Sequence, residues 1–270
     1  MANLTQPPNY TISNVFNYLS ELAPVNIKMK RDNVGLLVGH VNNVVSKVIV
    51  SLDITLDVIS EAIDEGANLI VSHHPVLYPL SSITDSDVTG SRVLKLIENN
   101  IAAICMHTNL DATKEGVNYE LARIIGIDDP KPLREPPFSS DEEFSAGRFG
   151  IIKNETAMCD FLVTVKNALS ANGLRYYDTG RLVSKVAVVG GTGDVEFDHV
   201  LKNNCDTFLT ADIKYHSFLR AKELGINLID GGHFCTENVI IQPLADKLNT
   251  RFPEIDISVS KIHKQIIKFL

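Results

Sequence analysis

The 270-residue chain has no tryptophan, few aromatic residues (7%) and only four cysteines. Cys105, Cys159, Cys205 and Cys235 lie far apart in the sequence, so there is no CxxC knuckle and no dense disulfide framework. That excludes a disulfide-stapled secreted scaffold and a closed cysteine zinc site. Positive charge is in deficit: 25 Lys and Arg stand against 33 Asp and Glu, a net charge of −8. Non-specific nucleic-acid binding needs a cationic surface that displaces phosphate counterions, so that class is set aside. No apolar run approaches the roughly 18 residues of a membrane span. The opening MANLTQPPNY lacks the basic stretch and apolar core of a secretory signal. The expectation is a cytoplasmic protein with reduced thiols. With 44% apolar and 21% charged residues, the chain has the composition of a globular protein with a sizeable core.

The first half alternates strand-like and helix-like segments. Lys47 to Leu52 is β-branched and reads as a buried strand. Asp53 follows at the place of a helix N-cap, with support of a metal-ligating side chain as its other reading. Leu56 to Glu65 carries helical spacing, and Gly66 reads as the stop. A strand from Asn68 to Ser72 leads into His73-His74-Pro75. A helix over Ser91 to Asn99 precedes a strand from Ala102 to Met106, which leads into His107. Strand, helix, strand, helix, strand predicts a parallel α/β sheet. Asp128 to Ser145, with four prolines, reads as a loop, so the expected halves are 1–127 and 128–270, the last segment free to pack back on the first. The second half repeats the pattern. A strand from Lys185 to Val189 ends in Gly190-Gly191-Thr192-Gly193, which reads as a tight turn or a phosphate cradle. Strands near Thr207–Thr210 and Asn227–Asp230 flank a helix near Lys214–Leu224.

Three strand ends carry metal-capable side chains: His73 and His74, then His107 and Asp111, then His233 and Glu237. Ligand crevices of open α/β sheets lie outside the carboxyl ends of the strands, so residues scattered from 73 to 237 are expected to converge. Adjacent His73 and His74 diverge in an extended chain, which suits two metals better than one chelate. His233 and Glu237, four apart, share a face if helical. The mixed imidazole and carboxylate set suits Zn²⁺, Fe²⁺, Mn²⁺ or Ni²⁺ in a catalytic style of site. Cys235, between His233 and Glu237, is expected to point away and pack. His216, four past Asp212, is a candidate acid–base group on a helix facing the same crevice.

These stretches resemble the Nif-three-like family, also called the GTP cyclohydrolase I type 2 homologue family. The matching segments are DNVGLLVG (32–39), SLDIT (51–55), NLIVSHHP (68–75), MHTNLDATKEGVN (106–118), VAVVGGTGD (186–194), FLTADIKYH (208–216) and LIDGGHFCTE (228–237). The resemblance implies an α/β fold of two interlocked halves with a dinuclear metal site at the carboxyl ends of strands between them. It implies two divalent ions per chain on His73, His74, Asp111, His233 and Glu237, with Glu237 bridging. His107 would lie beside them and His216 near the open face. It also implies a homohexamer, a trimer of dimers. Arg31 departs from the aromatic or other residue that many members carry before DNVG. The short stretch between Asn118 and Lys185 marks a form without the inserted domain of long members.

The expected activity is metal-dependent hydrolysis, nominally opening of the guanine ring of GTP, with His216 or His107 moving protons. A phosphoester hydrolase would use the same centre. The alternative from another class is a non-catalytic metal- or nucleotide-binding regulator.

Overall fold

A computed structural model describes residues 9–78, 82–134 and 147–270. The chain divides into two compact units. One comprises 1–109 with 241–264, the other 110–240 with 265–270.

In chain order the elements are α1 (Ile12–Leu22), β1 (Gly35–Val38), β2 (Lys47–Ser51), α2 (Leu56–Asp64), β3 (Leu69–Ser72), α3 (Val88–Glu98) and β4 (Ala102–Cys105). Then come α4 (Thr108–Ala112), α5 (Val117–Ile124), β5 (Ile127–Pro132), β6 (Arg148–Thr156), α6 (Met158–Ala168), β7 (Arg175–Tyr177), β8 (Val183–Thr192), α7 (Phe197–Lys202), β9 (Thr207–Ala211), α8 (Tyr215–Leu224), β10 (Asn227–Asp230) and α9 (His233–Glu237). The chain closes with α10 (Ile241–Arg251) and β11 (Asp256–Val259).

The first unit holds a five-stranded sheet in the order β1-β4-β3-β2-β11. β11, β2, β3 and β4 run parallel, as the alternation predicts, and β1 closes one edge antiparallel. The parallel strands are near-continuous apolar runs because both faces are buried. Ile49, Ile70 and Ala103 pack on Val58, Ile59 and Ala62 of α2 and on Val93 and Leu96 of α3. Val48, Val50, Leu69 and Val71 are equally buried on the other face.

The second unit holds a six-stranded sheet, β5-β6-β8-β9-β10-β7. β8, β9 and β10 are parallel; β5, β6 and β7 pair antiparallel around them. Alternate residues go to opposite faces, the period-two geometry of a strand. Val186, Val188, Leu209 and Ile229 meet α5 and α6 through Leu121, Ala122, Phe161 and Val165. Ala187, Val189, Phe208 and Leu228 meet Val200 of α7 and Ala221 of α8.

Several expectations change. The sheets are mixed rather than parallel throughout, because the edges are taken by antiparallel strands the pattern did not reveal. The division falls at 109/110, not 127/128, since α5 is core to the second unit, and 241–264 returns to the first. Part of the expected loop at Asp128 to Ser145 is strand β5, and residues 135–145 lie outside those described. Asp53 does not cap α2. Thr55 does, its Oγ1 accepting from the Val58 amide at 3.2 Å. Gly66 does follow the helix, with φ +69°. Among the described residues no helix is long and apolar enough to cross a membrane.

Glu65, just past α2, gathers Lys47 from β2 (2.8 Å) and Lys261 from beyond β11 (2.7 Å). Hydrogen bonds from Lys261 and then Lys47 pull its carboxyl down to about 2. A folded value below the unfolded 4.5 means this contribution is complete above pH 4.5 and is lost as pH falls toward 2. Denaturant midpoints measured against pH should therefore show Glu65→Gln less stable than the wild type above pH 4.5. The gap closes toward pH 2 and shrinks in high salt, as expected for a surface pair. A gap independent of pH would contradict the assignment.

Candidate metal centre

In the first unit, β2, β3 and β4 end level. Ser51 pairs with Ser72, and Ser72 with Cys105. The residues released just beyond these ends are Asp53, His73 with His74, and His107, so register alone brings them together. The chain bends at His73 and His74, whose amides bond to the carbonyls of Ser51 and Leu52. That bend cancels the strand alternation, so the two rings do not diverge: their centroids are 5.0 Å apart. His107 completes a triangle, 5.2 Å from His73 and 5.5 Å from His74. One ligand atom from each of the three lies within 4.8 Å of the others.

Each ring is held by its Nδ1. His73 Nδ1 lies 3.0 Å from the Met106 carbonyl, His74 Nδ1 2.8 Å from Asp53 Oδ1, and His107 Nδ1 2.8 Å from Asp32 Oδ1. A carbonyl or carboxylate oxygen only accepts, so each Nδ1 is the donor, which in a neutral ring leaves the lone pair on Nε2. Burial alone would raise the Asp32 carboxyl, but His107 and Thr108 outweigh it and hold it well below the usual range. Asp53 behaves the same way: His263 and His74 overcome its burial. Both stay ionised and remain acceptors.

In the second unit, β9 and β10 release Asp212 and His233. His233 and Glu237 open and close α9 and share its face as the spacing predicts, with Nε2 2.9 Å from Oε2. His233 Nδ1 is 2.7 Å from Asp212 Oδ2, which also accepts from the Thr192 hydroxyl at 2.9 Å. Asp212 takes this position with φ +54°, a left-handed conformation that Asp tolerates better than most residues. Its carboxyl is lowered, the hydrogen bonds from His233 and Thr192 prevailing over burial. Glu237 first, then Asp212, raise His233 to about 9 against the cost of burial. Protonated, the ring donates to a carboxylate from each nitrogen. A carboxylate oxygen of Asp111 lies within 4.8 Å of one of Glu237.

The backbone at these carboxylates is tied down. Asn118 donates to the Asp111 carbonyl at 3.1 Å and accepts from the Gly190 amide at 2.9 Å. Buried Arg148 donates to the carbonyls of Ala112 and Thr113, just after Asp111. The GGTG stretch is neither a tight turn nor a phosphate cradle. Gly190, Gly191 and Thr192 complete β8, and the Gly191 amide donates to the Thr236 hydroxyl at 3.0 Å. Gly191 has φ +61°, and a Cβ there would come within 2.1 Å of Glu237 Oε1. Its bare backbone is the seat of the Glu237 carboxylate.

The other candidates separate. Cys235 is buried in the core under α9, its sulfur 3.5 Å from Gln265 Nε2, and packs as expected. His216 is exposed on the first turn of α8, beside the Tyr215 ring. Asp212 precedes that helix, so the two do not share a helical face. Among the described residues no metal-capable group includes His216. Asp212 was noticed only for its spacing to His216, Asp32 lay inside a motif without a separate signal, and His263, behind Asp53, gave none.

The chain belongs to the family described as Duf34/NIF3 (NGG1p interacting factor 3), whose model matches residues 10–266. It is 33% identical over 262 residues to a Clostridium perfringens protein named GTP cyclohydrolase 1 type 2 homolog, covering 96% of this chain and 99% of that one. A Campylobacter jejuni protein of the same name is 33% identical over 252 residues, 93% of this chain and 97% of its own. Among solved structures, a Staphylococcus aureus hypothetical protein superposes with a TM-score of 0.88 at 28% identity, covering 98% of this chain and all of its own. A Bacillus cereus protein related to NIF3, at 23% identity, shares the fold with a TM-score of 0.90 over 98% of this chain and all of its own.

If Glu237 takes a divalent ion, Gly191→Ala should weaken Zn²⁺ or Mn²⁺ binding by about 10–100-fold in calorimetric titration, the range for disturbing a ligand's support. Gly180→Ala is the control. Its φ of +78° carries similar backbone strain, with nothing within 4 Å of a new Cβ. Equal losses in both variants would mean that strain, not the Glu237 seat, is responsible.

Proposed function

We propose that the protein is a dinuclear metal-dependent hydrolase acting on a nucleotide, with opening of the guanine ring of GTP as its nominal reaction. The observation that supports this best is the common arrangement of three clustered imidazoles. His73, His74 and His107 each place Nδ1 on an oxygen acceptor, which in a neutral ring leaves the lone pair on Nε2. Three neighbouring histidines without a shared task have no reason to be oriented alike. The name that the relatives carry supplies the nucleotide class.

His73, His74, Asp111, His233 and Glu237 would hold two divalent ions, with Glu237 serving both. His107, in the same triangle as His73 and His74, is a further donor or a proton carrier. The ions, when bound, supply charge neutralisation and a lowered pKa for water at neutral pH. The protein's own residues do the rest. Asp32, Asp53 and Asp212 would fix the orientation of His107, His74 and His233 through their Nδ1 atoms. His216, exposed beside the second unit's strand ends, exchanges protons with solvent. The family resemblance also carries the proposal that six copies assemble as a trimer of dimers, which light scattering tests; a stable monomer at micromolar concentration would refute it.

Metal analysis after remetallation should find about two divalent ions per chain. Glu237→Ala should lose more metal than Asp111→Ala, because a carboxylate shared by two ions supports both. Equal retention would argue against sharing, and a wild type that binds none under any loading would overturn the reading. With GTP and a phosphoester panel as substrates, His216→Ala should keep its metal while turnover falls by about 10²–10⁴-fold, the usual contribution of a positioned proton carrier. Unchanged turnover would move that role to His107. A metal-loaded protein inert to the whole panel would favour the regulatory binder.

A further inference from the structure

Each carboxylate behind a metal-facing imidazole is itself held, but not in the same way. Asp32 Oδ2 takes the amide and hydroxyl of Thr108. Asp212 takes the Thr192 hydroxyl. Asp53 is held by a second imidazole: Oδ1 accepts from His74 Nδ1 at 2.8 Å and Oδ2 is 2.9 Å from His263 Nε2.

The chain goes to some length to place His263. β11 pairs with β2 in parallel, Val259 opposite Val50, so the two strands end together and release their next residues on the same side. Ser260 continues the ladder through its amide to the Val50 carbonyl. The buried Glu61 of α2 then clamps the segment, accepting from the Ser260 hydroxyl and the Lys261 amide. The His263 amide donates back to Ser260 Oγ at 3.2 Å. The His263 side chain is only 11% exposed, whereas that of Asp53 is 39% exposed. A half-exposed carboxylate held at one oxygen alone can swing toward water. Held at both oxygens, it cannot rotate without breaking a hydrogen bond.

We propose that His263 is a positioning residue for the metal ligand His74, acting through Asp53. The proposal rests on the metal-binding reading above. With His263 donating, Asp53 keeps Oδ1 on His74 Nδ1, and His74 stays in the tautomer that leaves Nε2 as a lone pair. Without that donor, Asp53 is free to leave, His74 divides between its two tautomers, and only part of the population is ready for metal. Apparent affinity falls in proportion to that fraction.

The test uses the full-length protein and four variants: His263→Phe, which keeps a ring and removes the donor; His263→Gln, which restores an N–H; Asp53→Asn; and the double variant Asp53→Asn/His263→Phe. Zn²⁺ and Mn²⁺ affinities are measured against a competing chelator, and imidazole ¹⁵N spectra are recorded on the metal-free protein. His263→Phe should lose about tenfold in affinity, the lower end for the supports of a ligating histidine. His263→Gln should recover to within about threefold of the wild type. The double variant should be no weaker than Asp53→Asn alone, because both changes break one chain. In the spectra, His74 should carry its proton on Nδ1 in the wild type and in His263→Gln, and should average between nitrogens in His263→Phe. Losses that multiply in the double variant, an unrescued His263→Gln, or a His74 signal indifferent to residue 263 would each overturn the proposal. If His263→Phe does not fold, His263→Ala takes its place in the same comparisons. A wild type that binds neither metal defeats the metal reading, while the metal-free spectra still decide whether His263 orders His74.

Discussion

The geometry depends on one constraint: an imidazole can serve a cation at Nε2 only if its proton is kept on Nδ1. Neutral histidine has no strong preference of its own, so the fold must supply an oxygen acceptor for every ring. Here those acceptors are a backbone carbonyl and three carboxylates. Half-burying a carboxylate is costly unless it is fully hydrogen-bonded. That cost explains why Asp32, Asp53 and Asp212 each have another donor in Thr108, His263 and Thr192. Within each unit, then, a ring's orientation depends on the acceptor behind it and on the donor behind that acceptor.

Parallel strands are the means by which the layers are brought into line. Because β2, β3, β4 and β11 are in parallel register, their carboxyl ends coincide, and residues from distant parts of the chain emerge side by side. Ile49, Ile70 and Ala103 fix that register by packing on α2 and α3. A slip of one residue would move those side chains to the opposite face and carry Asp53, His73 and His107 out of line together. Core packing and site geometry are in this sense a single requirement. The antiparallel β1 adds a piece no parallel strand could: its amino end lies at the carboxyl end of β4, which brings Asp32 to His107.

What the sequence made legible follows from this. Apolar runs ending at or near histidine identify a buried strand and its carboxyl end, so the positions of His73, His74, His107 and His233 could be picked out directly. The i, i+4 spacing of His233 and Glu237 carried its geometry with it. The acceptors were obscure because an aspartate after a strand also suits a cap or a turn. Asp53 read as a cap, yet Thr55 two residues on performs that task. Asp212 read as a helical neighbour of His216, yet it adopts a left-handed turn before the helix. His263 sits in a polar stretch whose position depends on the long-range pairing of β11 with β2, which no local pattern encodes. The antiparallel strands β5, β6 and β7 escaped for a related reason: their sides are half exposed and their polar residues dilute the period.

GGTG shows how a motif can be functional without the function its composition suggests. Glycines after a strand invite a phosphate, but a phosphate cradle needs free amides. Those of Gly190 and Gly191 are spent on Asn118 and on Thr236. What the glycines provide is absence of bulk. Gly191 leaves room for the Glu237 carboxylate to lie against β8, and Gly190 lets the amide of β8 reach the side chain that also holds the Asp111 backbone. The two acidic candidates are thereby fixed from a single strand, one through a contact that any Cβ would abolish and the other through Asn118. Carboxylates within 4.8 Å repel each other unless a cation or proton lies between them. At Glu237 that repulsion is countered within the chain by His233, whose Nε2 lies 2.9 Å from Oε2.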